Sequence, residues 1–193
     1  MNVIANKLAV EKLNIGLPII FHTDTLPAIG CLPKFSEIIY KIKQRDVKKP
    51  LILMGAESFQ LNEFVHKTAF EDYKYMASRY WPGPLTMIIP ISEKSKPLFS
   101  NKNLTLGLRI PNSIMANYLI KESGPLLTSS ANISGLPPST NAKDISFDLP
   151  NVDILGPVPW PKCSGKASTI ISWVNNEKWK LIREGEVFIP GIK

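Results

Sequence analysis

Leu126-Leu127-Thr128-Ser129-Ser130-Ala131-Asn132-Ile133-Ser134-Gly135-Leu136-Pro137-Pro138-Ser139 changes character within a few residues. Two leucines and a threonine carry strand chemistry, and the small polar residues, the glycine and the proline pair that follow end it. Thr128, Ser129, Ser130, Asn132 and Ser134 put five short hydrogen-bonding side chains into seven positions, and Gly135 lets a bound group approach the backbone. At the carboxyl end of a buried strand that composition suits a polar ligand. It equally suits an ordinary Ser/Asn-rich loop, so this stretch alone leaves both readings open.

Upstream, residues 3 to 15 place Ile4, Leu8 and Ile15 on one side and Lys7, Glu11 and Lys12 elsewhere, which predicts a short amphipathic helix ended by Gly16. Leu17 to His22 form a compact apolar run that reads as a buried strand. Thr23-Asp24-Thr25-Leu26-Pro27-Ala28-Ile29-Gly30 follows, either a polar turn or cap, or a set of oxygens for an amino or hydroxyl group. A helix is expected from Glu37, with Ser36 as its cap. It runs into Lys43-Gln44-Arg45-Asp46-Val47-Lys48-Lys49-Pro50, which places four cations within seven residues before a strand at Leu51 to Met54. Such a cluster is either a solvated face or a grip for a phosphate chain.

Residues 57 to 80 read as helix in two pieces, and Trp81-Pro82-Gly83-Pro84-Leu85-Thr86 forces a rigid corner. Strands are expected at Met87 to Ile91 and at Leu104 to Ile110, the second holding Gly107 inside it and Arg109 near its end. Arg109 points either into a site or to a surface ion pair. Ile114 to Glu122 predicts a helix leading to the central stretch. Beyond Ser139 come a short helix around Ala142 to Phe147, a strand at Val152 to Leu155, a basic loop from Lys162 to Lys166, and a hairpin of Ala167 to Val174 with Trp179 to Arg183, turning at Asn175-Asn176.

The 193 residues suit one domain, and 44% hydrophobic with 20% charged residues is ordinary globular usage. No apolar run reaches membrane-spanning length and no signal peptide is evident, so a cytoplasmic protein is expected. Cys31 and Cys163 belong to no paired metal-ligand spacing and are expected as free thiols; His22 and His66 are too few for a metal cluster. The net charge of +7 points to anionic partners, nucleotide phosphates or nucleic acid. With no Gly-rich P-loop or dinucleotide fingerprint, any nucleotide is held by another device.

Taken in order, Thr23-Asp24-Thr25, Lys43-Gln44-Arg45 with Lys49-Pro50-Leu51, Pro82-Gly83-Pro84-Leu85-Thr86, Arg109-Ile110-Pro111, Ser130-Ala131-Asn132-Ile133-Ser134-Gly135, Ser168-Thr169 and Arg183-Glu184-Gly185 resemble the YrdC/TsaC family of threonylcarbamoyl-AMP synthases. The likeness runs from about residue 17 to residue 185. It implies an α/β fold, a twisted mixed β-sheet with flanking helices and a basic concave face, as a single YrdC-like domain over 1–193. It also implies ATP-dependent condensation of L-threonine and bicarbonate to L-threonylcarbamoyl-adenylate with release of pyrophosphate, the first step of N6-threonylcarbamoyladenosine formation in tRNA, with other proteins carrying out the transfer.

The site residues it implies are Lys43 and Arg45 as the catalytic cations, and Lys43, Arg45, Lys49, Ser130, Asn132 and Arg183 for ATP. Thr25, Arg109, Thr128 and Ser168 form the threonine side, with Arg109 opposite the carboxylate. Magnesium is expected with the triphosphate, held through phosphate and water oxygens and not by a side-chain cage. The YciO-like branch departs at the Lys-x-Arg and Ser-x-Asn pairs, both present here. Family members usually carry proline where His22 stands and an aromatic-glycine pair near Pro27-Ala28, so the wall of the threonine pocket is where this chain differs. A second reading is a module that binds double-stranded RNA or tRNA on its basic concavity without catalysis.

Overall fold

The computed structural model describes residues 1–98 and 104–192. Among them ten strands join into one mixed sheet: β1 (Val3–Ile4), β2 (Ile19–Phe21), β3 (Ala28–Cys31), β4 (Ile52–Met54), β5 (Leu85–Pro90), β6 (Thr105–Arg109), β7 (Leu126–Ser130), β8 (Asp153–Leu155), β9 (Thr169–Asn175) and β10 (Lys178–Arg183), in spatial order β1-β8-β2-β3-β7-β4-β6-β5-β9-β10. Parallel pairings, such as β4 with β6 and β5 with β9, are mixed with antiparallel ones, such as β3 with β7 and β5 with β6.

The period of two in the strands sorts their side chains onto two faces. Leu53, Met87, Ile89, Leu108, Leu127 and Ile171 point one way into the larger core cluster. Helices α2 (Glu37–Lys43), α3 (Ser58–Asn62), α4 (Phe70–Tyr80) and α6 (Ala142–Asp148) close that face by burying Ile39, Leu61, the Tyr73-Met76-Ala77 stripe and Ile145. The spacing of three and four in α4 is what aims that stripe at the sheet. Each such fully buried aliphatic side chain contributes about 1.5–3 kcal/mol.

Ile19, Phe21, Met54 and Leu126 point the other way, into a smaller cluster. Helices α1 (Asn6–Asn14) and α5 (Ile114–Ser123) cover it with Ala9, Leu13, Ala116, Leu119 and Ile120. Ser113 caps α5 by accepting from the Ala116 N–H at 3.3 Å. These two helices cover only the half of that face nearest β2 and β8. The other half stays open.

Several expectations need correction. The first helix begins at Asn6, because Val3 and Ile4 are taken into a strand pairing with β8; Leu8 and Ile15 are exposed, and the buried face is Ala9 and Leu13. Ala28 to Cys31, expected within a polar stretch, is a buried strand between β2 and β7. Gly30 is needed there, since a Cβ would lie 2.9 Å from Phe21 Cε1. Ser36 makes no side-chain cap, because a 3-10 turn at Pro33–Phe35 already leads into α2. The left-handed residue of the β9–β10 turn is Glu177 and not an asparagine.

After β10 the chain folds back over the start of β9. Thr169 Oγ1 donates to the Val187 carbonyl at 2.5 Å and accepts from the N–H groups of Gly185 and Val187. A Cβ on Gly185 would lie 2.4 Å from the Ala167 carbonyl oxygen and 2.5 Å from Thr169 N, backbone atoms with nowhere to go. Gly185→Ala is therefore expected to destabilise the protein by about 1–3 kcal/mol in urea titration, the usual cost of overpacking. An unchanged midpoint would show that the tail moves aside freely.

Candidate active site

The open half of the second face lines a cavity of about 600 Å³. Its floor consists of the outward residues of neighbouring strands in register. Thr128 lies beside Ile52, Ile52 beside Gly107, and Gly107 beside Ile88. Polar groups ring this floor at the strand ends, where the ladder stops and the backbone turns. Among the described residues no aspartate or glutamate lines the cavity, whereas Arg45, Lys48, Lys49, Arg109 and Arg183 do. The charged side chains among its described lining residues are all cationic.

One end is organised by Arg109, at the last position of β6 and 3% exposed. Its Nε donates to the Gly83 carbonyl at 3.1 Å, Nη1 to Thr25 Oγ1 at 2.8 Å, and Nη2 to Asp24 Oδ1 at 2.6 Å. Burial lowers the guanidinium pKa, and the Asp24 carboxylate opposes that shift. The basic loop fastens the same turn, since the N–H groups of Ser164 and Gly165 donate to the Asp24 and Thr25 carbonyls at 3.0 Å. Thr86 and Ser168, hydroxyls 2.9 Å apart, complete this end, with Arg183 donating to the Ser168 carbonyl from β10.

The other end is the cation loop. Gln44 in the left-handed region (φ 51°) closes α2 and turns the chain so that Lys43 and Arg45 diverge. Arg45 lies on the cavity wall, its guanidinium donating to the Lys49 and Pro50 carbonyls at 3.2 and 3.0 Å, and Lys48 and Lys49 are exposed beside it. Lys43 goes inward and is 1% exposed. Its ammonium donates to the Ser130 and Asn132 carbonyls and to Asn132 Oδ1. Burial, with Arg45 nearby, pushes its pKa down to about 8.

Thr25, Arg45, Lys49, Arg109, Thr128, Ser130, Ser168 and Arg183, eight of the expected site residues, thus line one cavity. Lys43 and Asn132 lie beneath it instead. Asn132 spends its amide on the Ile133 and Leu136 carbonyls at 3.0 and 2.6 Å, and its Oδ1 accepts from Ser130 Oγ at 2.6 Å. The physical reason is satisfaction of a buried turn: both side chains sit where water is absent, so their hydrogen-bonding capacity is used internally. Lys48 and Ser129, read in the sequence only as members of the cation cluster and of the Ser/Asn-rich stretch, line the cavity too, as do Thr86 and Gly107, to which the sequence assigns no part in a site, and Asp24 supports it from behind. The exposed lysine beside Lys49 and the threonine closing the Pro82 to Thr86 motif were visible signals. Gly107 had no signal beyond being a glycine in a strand.

Cys31 and Cys163 are free thiols, and burial pushes the Cys31 pKa up to about 12. Among the described residues no three His, Cys, Asp or Glu side chains assemble a metal-binding group, and no helix is long and apolar enough to cross a membrane.

A family model for Sua5, YciO and YrdC proteins, described as Telomere recombination, matches residues 11–185. The chain belongs to that family. It is 29% identical over 145 residues to the threonylcarbamoyl-AMP synthase of Photobacterium profundum, covering 72% of this chain and 78% of that protein. It is 35% identical over 134 residues to the Bacillus subtilis protein of the same name, covering 67% of this chain but 38% of that one. Among solved structures, P. abyssi Sua5 complexed with L-threonine superposes with a TM-score of 0.85 at 27% identity over 96% of this chain and 58% of that one. E. coli YciO superposes with a TM-score of 0.76 at 25% identity over 95% of this chain and 94% of that one. The chain thus spans less than two thirds of the Sua5 structure. The Sua5/YciO/YrdC fold, a mixed sheet with flanking helices, agrees with what the sequence implied.

Among the described residues, Asp24 is the carboxylate paired with buried Arg109, their side chains being 16% and 4% exposed. Asp24→Ala is expected to cost about 3–5 kcal/mol by urea unfolding, the usual penalty for stranding a buried charge. Lys48→Ala, at an exposed loop position, is expected to stay within about 0.5 kcal/mol of wild type. Equal effects from the two substitutions would contradict this account of the Arg109 end.

His22 is buried, with Nδ1 3.3 Å from Ser113 Oγ, and burial lowers its pKa below the ordinary 6.5. The native state therefore prefers the neutral ring. Its contribution to stability is complete above pH 6.5 and declines as the pH falls through the lower folded value. Thermal unfolding of wild type and His22→Gln across this range is expected to show the wild type losing stability on acidification more steeply than the variant. Parallel curves would rule out His22 as the source.

Proposed function

We propose that the chain is an L-threonylcarbamoyladenylate synthase, joining L-threonine, bicarbonate and ATP and releasing pyrophosphate and water. The carrying observation is the pairing of two cationic ends on one open sheet face: a buried, pre-aligned guanidinium at Arg109, and a half-buried Arg45 with exposed Lys48 and Lys49. Relatives named threonylcarbamoyl-AMP synthase, and a superposing Sua5 titled as a complex with L-threonine, support it. Lys43 with Arg45 and Ser130 with Asn132 favour the synthase over the YciO-like branch.

The threonine carboxylate is assigned to Arg109, with Thr25, Thr128 and Ser168 around the amino acid. The threonine amine nitrogen bonds to the bicarbonate carbon as a carbon–oxygen bond of bicarbonate breaks, and that oxygen leaves as water with a proton from the nitrogen, giving a carbamate. A carbamate oxygen then bonds to the α-phosphorus while the bond from that phosphorus to the bridging oxygen breaks, and pyrophosphate leaves with the electron pair. No side chain need act as nucleophile. Arg45, Lys48, Lys49 and Arg183 stabilise the charge gathering on the phosphoryl oxygens. Ser130 lies at the triphosphate end, where its hydroxyl turns from Asn132 Oδ1 to donate to a phosphoryl oxygen, while Lys43 and Asn132 hold its turn in place. Magnesium arrives with ATP as part of the substrate, since among the described residues no carboxylate lines the cavity to bind it. The product's place is in the cytoplasm, handed to proteins that transfer the threonylcarbamoyl group to tRNA.

The test is pyrophosphate release from ATP with and without threonine and bicarbonate. Release that needs both is expected, with Arg45→Ala and Lys49→Ala lowering turnover by about one to two orders of magnitude. Release independent of both would refute the synthase, and salt-sensitive binding of double-stranded RNA without release would favour a binding module.

A further inference from the structure

Gly107 has no structural reason to be glycine. It lies inside β6, away from any turn, and it is not among the residues with positive φ. A Cβ added there would meet Ile52 Cγ1 and Thr86 Cγ2 at 3.5 Å, ordinary van der Waals contact. Gly30 and Gly185 differ, because a Cβ on either would collide with neighbours at 2.9 and 2.4 Å. Glycine inside a strand weakens it, through chain entropy and a lost packing group, unless something must approach the backbone closely. What approaches here comes from the cavity, which Gly107 lines.

Its place in the register says what that is. Gly107 sits between Ile52 on β4 and Ile88 on β5, so the floor dips at the middle of the open face with a branched side chain on either side. Two residues further along β6 stands Arg109, with Thr25 and Asp24 on its guanidinium. In the other direction, the chain entering Ile52 is the cation loop, Lys48-Lys49-Pro50-Leu51, and β7 passes from Thr128 beside Ile52 to Ser130. Gly107 is therefore midway between the two cationic ends.

We propose that Gly107 is a positioning residue of the reaction, the dip over which the carbamate oxygen and the α-phosphorus come together. This rests on the synthase reading above. Each substrate is anchored at its own end, and only the transferring groups pass over the missing side chain. A methyl group at this position leaves both anchors intact and lifts the reacting atoms apart by about 1 Å, a displacement able to cost about a hundredfold in rate.

The experiment uses Gly107→Ala, which the packing accommodates, and Gly107→Val as the larger step. The alanine variant is expected to unfold at the wild-type temperature or above it. Its dissociation constants for ATP alone and threonine alone should stay within about threefold of wild type, while pyrophosphate release at saturating substrates falls about a hundredfold. Valine should reduce release further. Three outcomes overturn the inference: turnover near wild type in the alanine variant, a lowered unfolding temperature that gives the glycine a packing role, or a loss of affinity for one substrate alone that accounts for the whole loss of turnover. Wild-type protein that releases no pyrophosphate would sink the synthase reading and this inference with it, whereas active wild type with an unaffected alanine variant would sink the inference alone.

Discussion

The buried guanidinium of Arg109 is the constraint from which the site is built. Removing such a cation from water costs several kcal/mol, and the cost is met only where acceptors surround it in good geometry. The acceptors come from separate parts of the chain: the Gly83 carbonyl from the corner after α4, and Thr25 and Asp24 from the turn after β2. Fixing them fixes the approach of β2 and β6, which are not neighbours in the sheet. The loop at Ser164 and Gly165 then closes on the backbone of the same turn, so one ion gathers four segments.

A second internal cation plays a comparable part at the opposite end. Lys43 reaches the turn after β7 from the last residue of α2, and the Ser134 N–H donates back to the Lys43 carbonyl at 3.0 Å. Helix end and strand end are stitched by both side chain and backbone. Because Gln44 reverses the chain at once, holding Lys43 inward also holds Arg45 outward, on the cavity wall. The spacing of the Lys-x-Arg pair thus has a mechanical meaning: one cation secures the turn and the other faces the chamber.

The sheet was legible wherever a strand carried its own apolar run. Leu17 to His22, Leu51 to Met54 and the hairpin ending at Arg183 lie where composition put them. Ala28 to Cys31 escaped because its hydrophobicity is modest and its neighbours are polar; it is a strand only because β2 and β7 flank it and supply its hydrogen bonds. The residues of the chamber were legible as types and not as roles. Nothing in a linear sequence distinguishes a lysine that meets solvent from one whose three acceptors lie 87 and 89 residues away. The same holds for Asp24, readable as a turn former until Arg109, 85 positions on, is brought against it.

Two physically different kinds of cation therefore share one sheet face, and the proposed reaction gives that difference a purpose. A guanidinium held by a carboxylate, a hydroxyl and a carbonyl is already oriented, so a carboxylate that meets it loses little further entropy and meets a planar donor. That suits the small substrate, which must be held in one pose. Arg45, Lys48 and Lys49 are more exposed and remain hydrated, so their individual attractions for phosphate are screened and modest. Together they compensate a polyanion, yet none holds it in a dry pocket. The pyrophosphate that forms at that end is the product that must leave. A chamber with buried, desolvated cations at both ends would bind it more tightly and turn over more slowly, so the exposure of the cation loop is a condition for release as much as for capture.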